Sequence, residues 1–194
     1  MSDKIKIGVL GCASIAKRSI IPAIKNLSCK FELIAVASRS IDKAEVFASD
    51  FNCEAVEGYD SIINLKKIDA LYIPLPTGLH KEWINKALLA DKHVYAEKSI
   101  ASNLADAEEM VNNAKQRNLA LMEGFMFQYH NQRQSQRSHP NRLQQAHLDR
   151  SQSQLQRFRQ LYQRINPSTL STYPHKKCYP HQASLTPLFL APAS

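Results

Sequence analysis

The sequence predicts an α/β fold in which a doubly wound parallel sheet occupies residues 1–126, and an irregular or disordered tail follows over residues 127–194. Short apolar runs alternate with segments of helical periodicity as far as residue 124, which is typical of β-α-β units. The strongest runs are continuously apolar, as expected for strands buried on both faces. At residue 131 the composition changes abruptly and neither periodicity is sustained.

The individual strands are predicted from these apolar runs, and the helices from apolar residues spaced three and four apart. The predicted strands are Ile5–Leu10, Phe31–Ala37, Glu54–Val56, Asp69–Leu75, Lys92–Glu97 and Leu119–Gly124. The predicted helices are Ser14–Leu27, Ile41–Phe51, Asp60–Leu65, Leu79–Leu89 and Leu104–Gln116. In the first helix we expect Ser14 to act as the N-cap and Pro22 to produce a kink, because proline lacks the N–H of a helical hydrogen bond.

The tail has a composition of its own. Residues 131–194 contain no glycine, 11 glutamines, six of the nine prolines and four of the seven histidines. Such a composition is typical of extended or disordered chain. Within 143–165 we expect a turn or two of helix, because four apolar residues approach helical spacing: Leu148, Leu155, Phe158 and Leu161.

The net charge of +8 belongs entirely to this tail. Residues 1–130 contain 16 Lys or Arg and 16 Asp or Glu, whereas residues 131–194 contain nine basic residues and one acid, Asp149. The first segment therefore gives no reason to expect a polyanionic partner. No apolar run has the length of a membrane span, and the charged start of the chain is unlike a signal peptide. The four cysteines form no CxxC pair, which favours a reducing, cytoplasmic location.

The first strand stops at Gly11, and a helix follows after two residues. A glycine turn between a strand and a helix N-terminus is typical of a phosphate-binding site, because the helix end presents unpaired N–H groups and a partial positive charge. The three positions of the dinucleotide-binding fingerprint are occupied by Gly11, Ala13 and Ala16, so the pattern reads GxAxxA. The competing interpretation is a buried strand joined to a helix by an ordinary glycine turn.

The end of the second strand bears on the choice of cofactor. An acidic residue there would bind the ribose 2′-hydroxyl of NAD, but this chain has Ser38 and Arg39, with Lys43 one turn later. A hydroxyl and a guanidinium suit a 2′-phosphate, so the sequence favours NADP, with NAD as the other possibility. Alternatively, Arg39 is a solvated loop charge.

Two further loops follow the carboxyl ends of predicted strands, where open α/β sheets place their ligands. His80 follows one strand and either orients a substrate or caps the next helix. Lys98 follows another, and an ammonium there can hydrogen-bond a reacting oxygen. We expect Glu97 to hold that ammonium charged and oriented. The competing interpretation is a surface ion pair of little energetic value.

Together these features resemble the glucose–fructose oxidoreductase / inositol dehydrogenase (Gfo/Idh/MocA) family. The resemblance is carried by IGVLGCASIA (7–16), the SR after the second strand, YIPLPTGLH (72–80), KEWINKALLADKHVYAEK (81–98) and LMEGFMFQYH (121–130). It implies a Rossmann-type domain that binds NAD(P). It also implies that this domain serves hydride transfer between nicotinamide and a carbonyl or secondary alcohol of a sugar or polyol-like substrate.

The resemblance also implies roles for individual residues. The cofactor-binding residues would be Gly11, Cys12, Ala13, Ser14, Ile15, Ser38, Arg39, Lys43, Leu75, Pro76, Thr77, His80, Glu97 and Lys98. Of these, Leu75, Pro76, Thr77 and His80 would line the nicotinamide ribose. Lys98 corresponds to the lysine of the family's E-K-P motif and would be catalytic, with Ser99 in place of the proline. Lys98, Glu123 and Gln128 would bind the substrate.

The resemblance ends near residue 131. In the family a second α/β domain follows, which supplies the substrate pocket and usually the interface of a homo-oligomer, and nothing in 131–194 matches it. We therefore expect a truncated chain with little or no turnover, whose tail arises from a frameshift near codon 131. The alternative is a non-catalytic dinucleotide-binding module whose basic tail binds nucleic acid or a protein. Nucleic acid is the less favoured partner, because few aromatic residues are interleaved with the charges.

The tail also contains three potential metal ligands, His175, Cys178 and His181. Three ligands are too few for a closed structural site, so we predict no metal.

Overall fold

The computed structural model describes residues 4–124 and 155–163 of the chain. Its strands are β1 (Ile5–Leu10), β2 (Phe31–Ser38), β3 (Glu54–Glu57), β4 (Ala70–Ile73), β5 (His93–Glu97) and β6 (Leu121–Gly124). They form one sheet in the order β3-β2-β1-β4-β5-β6, and every neighbouring pair is parallel. The predicted doubly wound parallel sheet is confirmed, because this strand order is that of a Rossmann-type fold.

The helices alternate with the strands along residues 4–124. A π-helical turn (Ala16–Ile20) leads into α1 (Ile21–Asn26), and the remaining helices are α2 (Ile41–Ser49), α3 (Tyr59–Ile63), α4 (Thr77–Leu89), α5 (Leu104–Gln116) and α6, which spans 155–163. The predicted helices are all present, and their ends differ from the predicted ones by a few residues at most. No helix in the described ranges is long and apolar enough to cross a membrane.

The expected kink at Pro22 takes the form of a change in helical winding. Because Pro22 has no N–H to donate to the preceding turn, the chain winds more widely before it, and the N–H of Ile21 reaches back five residues to the carbonyl of Ala16. A π-helical turn is a common way to accommodate such an interruption. The proline then lies in the first turn of α1, where a missing N–H costs little.

Each face of the sheet is covered by its own apolar cluster. One cluster joins the sheet to α1, α2 and α6, and the other joins it to α3, α4 and α5. Both clusters draw on the continuously apolar strands, such as β4, in which every residue is buried. The two layers fix the carboxyl ends of the strands along one edge of the sheet.

Helix α6 belongs to the first of these layers. Its Leu155 and Phe158 are both 1% exposed. The rings of Phe158 and Tyr95 have centroids 6.0 Å apart, and those of Tyr162 and His93 lie 4.6 Å apart. The helix expected within 143–165 is therefore confirmed for 155–163, and it packs on β5. The rest of the predicted irregular tail lies outside the described residues, as does Gln128.

The cysteines are not all free thiols. Cys12 and Cys53 are free, whereas Cys29 is disulfide-bonded. The spacing of the cysteines, which contains no CxxC pair, did not predict this bond. Burial raises the pKa of the Cys53 thiol to about 11, so this thiol is protonated at neutral pH.

Candidate functional site

The candidate site lies at the carboxyl edge of the sheet, where the strand order reverses. Strand β1 has β2 on one side and β4 on the other, and the chain returns from β3 to β4 by way of α3. The helices that follow β1 and β4 therefore leave on opposite faces of the sheet. The crevice between them is the usual ligand site of open α/β sheets.

Gly11 forms the turn at the end of β1. Its N–H donates to the carbonyl oxygen of Ala37 at 3.0 Å, and its φ of +119° is unfavourable for any residue with a side chain. A Cβ at this position would lie only 2.9 Å from Cδ2 of Leu75. The turn therefore requires glycine for its backbone conformation, and a Cβ there would also displace the side chain of Leu75.

The helix that follows begins without a side-chain cap. Ser14 is already helical, and the carbonyl of Ala13 accepts the first bond, from the N–H of Lys17 at 3.2 Å. The prediction that Ser14 is the N-cap is wrong, because its exposed hydroxyl makes no hydrogen bond with a described residue. The N–H groups of this helix end remain available to an anion, and Cys12, Ala13 and Ile15 line the approach to it half-buried.

Cys12 supports the turn from the side of β2. Its Sγ lies 3.8 Å from the carbonyl oxygens of Ala37 and of Lys43. Burial raises the pKa of the Cys12 thiol, an effect that the charge of Lys43 and a hydrogen bond with Ser38 partly oppose. Cys12 is therefore a neutral packing residue and not an activated nucleophile.

The end of β2 presents a hydroxyl and two cations. Ser38 is 6% exposed, and its Oγ lies 3.5 Å from the N–H of Ser40, at the limit of a hydrogen bond. Arg39 and Lys43 are exposed, and neither forms an ion pair with a described residue. The predicted pair of cations is therefore brought to the same edge as the glycine turn.

The loop after β4 passes from Pro74 into α4. Leu75 is buried against Gly11, Pro76 precedes the helix, and Thr77 is its first residue. His80 differs from what was expected, because it is completely buried and has no surface that could line a ribose. Its Nδ1 lies 2.8 Å from the carbonyl oxygen of Ser99. Since a carbonyl only accepts, Nδ1 carries the hydrogen, and Nε2 is left buried without a partner among the described residues.

The loop after β5, residues 98–100, carries Lys98 and is held by hydrogen bonds from three sides. His80 donates to the carbonyl of Ser99, and the N–H of Ile100 donates to Oε1 of Glu123 at 2.9 Å. The N–H of Lys98 makes a weaker contact of 3.4 Å with Oε2 of Glu97. These side chains come from α4, β6 and β5, so the loop is tied to three elements. The exposed ammonium of Lys98 forms no ion pair with a described residue.

One expected contact, the ion pair of Glu97 with Lys98, is corrected by the structure. The carboxylate of Glu97 forms no ion pair with the ammonium of Lys98, and its Oε1 instead accepts a hydrogen bond of 2.7 Å from the hydroxyl of Tyr72. Burial, with the nearby charge of Glu97, raises the pKa of Tyr72 well above its ordinary value, so the phenol remains a donor. Oε1 of Glu123 accepts the N–H of Ile100, so this carboxylate also supports the loop that carries Lys98, and its expected contact with a substrate stays a prediction.

Tyr59 and Tyr72 were missed by the sequence reasoning. Tyr72 interrupts the apolar run of β4, and a polar group in a buried strand signals a buried partner. Tyr59 directly follows the turn after β3, which places it at the same edge as Gly11. In the described ranges no cluster of three His, Cys, Asp or Glu side chains could hold a metal, and the tail residues His175, Cys178 and His181 lie outside those ranges.

Comparison with known proteins identifies the family to which this domain belongs. Residues 5–125 match the Gfo/Idh/MocA oxidoreductase family, NAD-binding Rossmann fold. The chain belongs to this family. A dTDP-3,4-didehydro-2,6-dideoxy-α-D-glucose 3-reductase of Saccharopolyspora spinosa is 48% identical over 130 residues, which are 67% of this chain and 39% of that protein. A second reductase with the same activity, from Actinomadura kijaniata, is 44% identical over 131 residues, 68% of this chain and 39% of that protein.

A solved structure shows the same relationship. The crystal structure of KijD10, a 3-ketoreductase from Actinomadura kijaniata in complex with NADP and TDP-benzene, superposes with a TM-score of 0.64 at 45% identity. The match covers 67% of this chain and 40% of that chain. This chain thus spans about two-fifths of the length of the Gfo/Idh/MocA relatives it matches, and the shared part is the NAD-binding Rossmann domain.

Proposed function

We propose that the chain binds NADP at the carboxyl edge and provides the cofactor domain for reduction of a carbonyl group on a nucleotide-linked deoxysugar. One observation carries this proposal: a positive-φ glycine turn, an uncapped helix N-terminus and two cations without ion pairs in the described chain lie at the same edge of the sheet as Lys98. These groups lie along the edge in the same order as the parts of the cofactor that each would bind. The helix end suits a diphosphate, and Arg39 suits a phosphate beyond it.

The preference for NADP over NAD rests on the end of β2. Ser38 ends the strand where a carboxylate would favour NAD, and Arg39 follows it with its guanidinium exposed. Lys43 adds a second cation at the first turn of α2. The relatives support the same choice, since KijD10 was crystallised with NADP and a 32% identical relative from Haloferax volcanii is a D-xylose 1-dehydrogenase (NADP(+)).

Lys98 is the residue of this chain that we assign to the reacting oxygen. When bound, the reduced cofactor supplies a hydride to the carbonyl carbon. The ammonium of Lys98 donates a hydrogen bond to the carbonyl oxygen and stabilises the negative charge that develops there, and water or a residue of the family's second domain would supply the proton that completes the hydroxyl group. His80 and Glu123 fix the backbone on the C-terminal side of Lys98 through their hydrogen bonds to Ser99 and Ile100.

The substrate class is inferred from the relatives. Four relatives, from Saccharopolyspora, Actinomadura and two Streptomyces species, share one activity, the 3-reduction of a dTDP-linked dideoxy sugar, at 40–48% identity to this chain. We also propose that residues 131–194, which contain no glycine and follow the segment 5–125 that matches the family, do not form the sugar pocket. On that basis we expect the 194-residue chain to bind cofactor but to turn over little or no ketosugar.

Calorimetric titration of the chain with NADPH and with NADH tests the cofactor assignment. We expect NADPH to bind about ten-fold more tightly or better, because a bidentate phosphate contact is absent from NADH. The Arg39→Ala variant should lose most of this preference. Arg117→Ala is the matched control, because it removes the same charge at the opposite edge, where Arg117 pairs with Asp91. Equal affinities for the two cofactors would contradict the assignment.

A second measurement tests the expected lack of turnover. The chain is mixed with NADPH and a dTDP-linked 3-ketosugar, and absorbance at the reduced-nicotinamide band is followed. Sustained, substrate-dependent oxidation of NADPH would show that residues 131–194 complete a sugar pocket. The expected frameshift near codon 131 is tested by translating the coding DNA in all three frames. If the frameshift occurred, a second frame should remain open after codon 131 and encode glycine-rich sequence.

A further inference from the structure

The residue after β3 is placed beside the end of β2 by a specific turn. Ser38 pairs with Glu57 in the parallel ladder, and the N–H of Gly58 donates to the carbonyl of Ser38 at 2.8 Å. Gly58 has a φ of +79°, which turns the chain back over the sheet at the start of α3. Tyr59 therefore lies next to Arg39 at the carboxyl edge.

Packing fixes the direction of the Tyr59 ring. Its ring and that of Trp83 meet edge to face at a centroid distance of 5.0 Å and an interplanar angle of 86°, and both rings pack against the cluster beneath α3 and α4. The hydroxyl points towards the glycine turn, 3.8 Å from where a Cβ of Gly11 would lie. It makes no hydrogen bond with a described residue.

The hydroxyl thus lies between the two parts of the proposed cofactor site. Gly11 marks the diphosphate end and Arg39 the end that reads the ribose. A dinucleotide that extends from the glycine turn to the end of β2 has its adenosine ribose in this interval. Burial raises the pKa of Tyr59, and the neighbouring charge of Arg39 only partly opposes this, so the phenol is protonated and able to donate at neutral pH.

We propose that Tyr59 is a cofactor-specificity residue, whose hydroxyl donates a hydrogen bond to the adenosine 2′-phosphate together with the guanidinium of Arg39. This inference rests on the proposed function, since it names a further contact in the same site. Trp83 acts as the support that holds the phenol ring on edge, and the turn at Gly58 couples the position of Tyr59 to the end of β2.

The test is the Tyr59→Phe variant, titrated with 2′,5′-ADP, with 5′-AMP and with NADPH. The substitution removes only the hydroxyl, which has no partner in the described chain, so the melting temperature should not change. A hydrogen bond to a charged group is worth enough to expect about a ten-fold weaker binding of 2′,5′-ADP and of NADPH. Binding of 5′-AMP, which lacks the 2′-phosphate, should stay the same.

The outcomes separate this inference from the proposal on which it rests. If the unaltered chain binds neither NADPH nor 2′,5′-ADP, the proposed function fails and the inference falls with it. If the unaltered chain binds both and Tyr59→Phe binds them equally well, only the inference is overturned. Equal losses for 5′-AMP and 2′,5′-ADP would place the hydroxyl on the 5′-phosphate and would also overturn it.

Discussion

Replacing Phe158 by alanine should destabilise the whole domain, although this residue lies outside the segment that resembles the family. The ring is 1% exposed and packs on Tyr95 of β5 within the first apolar cluster. Truncating a fully buried phenylalanine to alanine typically costs about 3–5 kcal/mol, through lost burial and the cavity that remains. For a chain of this size, each kcal/mol lowers the melting temperature by about 2–4 °C, so a fall on the order of 10 °C is expected.

The assay is thermal unfolding followed by circular dichroism, with Gln160→Ala as the control. Gln160 lies on the exposed side of the same helix, and glutamine and alanine have similar helix propensities, so this variant should melt with the unaltered chain. If Phe158→Ala also melts within a degree or two of the control, α6 contributes nothing to the core and does not pack on β5 in solution.

Three further predictions address other parts of the molecule. Burial lowers the pKa of His93 to about 4, and its neutral Nδ1 accepts the N–H of Ala120 at 2.9 Å. Below about pH 6.5 the unfolded chain therefore binds more protons than the folded chain, and up to about 3 kcal/mol of the free energy of unfolding should be lost as the pH falls from 6.5 towards 4. Urea titrations of the His93→Asn variant should not show this loss. Gly11→Ala should cost roughly 1–3 kcal/mol of stability in urea titrations and weaken NADPH binding, because it forces a side chain into a positive-φ position; Gly78→Ala, with no atom within 4 Å of the new methyl group, should not destabilise. Glu123→Ala should accelerate hydrogen exchange at the Ile100 amide, measured by NMR, whereas Glu123→Gln retains an acceptor oxygen and should preserve the protection of that amide. Equal exchange rates in the two variants would show that the Glu123 side chain does not hold the loop.

The sheet and its helices could be predicted from the sequence, because buried parallel strands leave continuous apolar runs. The Gly11 turn could also be predicted, since a strand that stops at a glycine shortly before a helix is typical of this fold. The contacts of His80 and Glu123 could not. Their backbone partners, at Ser99 and Ile100, lie 19 and 23 residues away along the chain. Such contacts depend on how α4, β5 and β6 are aligned in space, which no local pattern records.

Helix α6 could be predicted from the sequence only in part. The spacing of its apolar residues predicted a helical turn, but nothing in a segment rich in glutamine and arginine indicated that it packs on β5. A short helix in isolation is unstable in water, so its formation depends on the apolar surface that it covers. The formation of this helix therefore depends on its contacts with His93 and Tyr95 of β5 as much as on its own residues.

The polar residues of the candidate site divide into two groups by their partners. Glu97, Glu123 and His80 have hydrogen-bond partners within the described chain and fix the loop that carries Lys98. Arg39 and Lys98 make no ion pair with a described residue. Changes in the first group should loosen the backbone as well as weaken function, because a buried partner is left unsatisfied. Changes in the second group should alter binding or chemistry and leave stability intact, because nothing in the described fold depends on these charges. Measuring both the melting temperature and cofactor binding of each variant therefore distinguishes the two roles. A residue of the second group whose replacement lowers the melting temperature would have a structural partner in addition to the contacts described above.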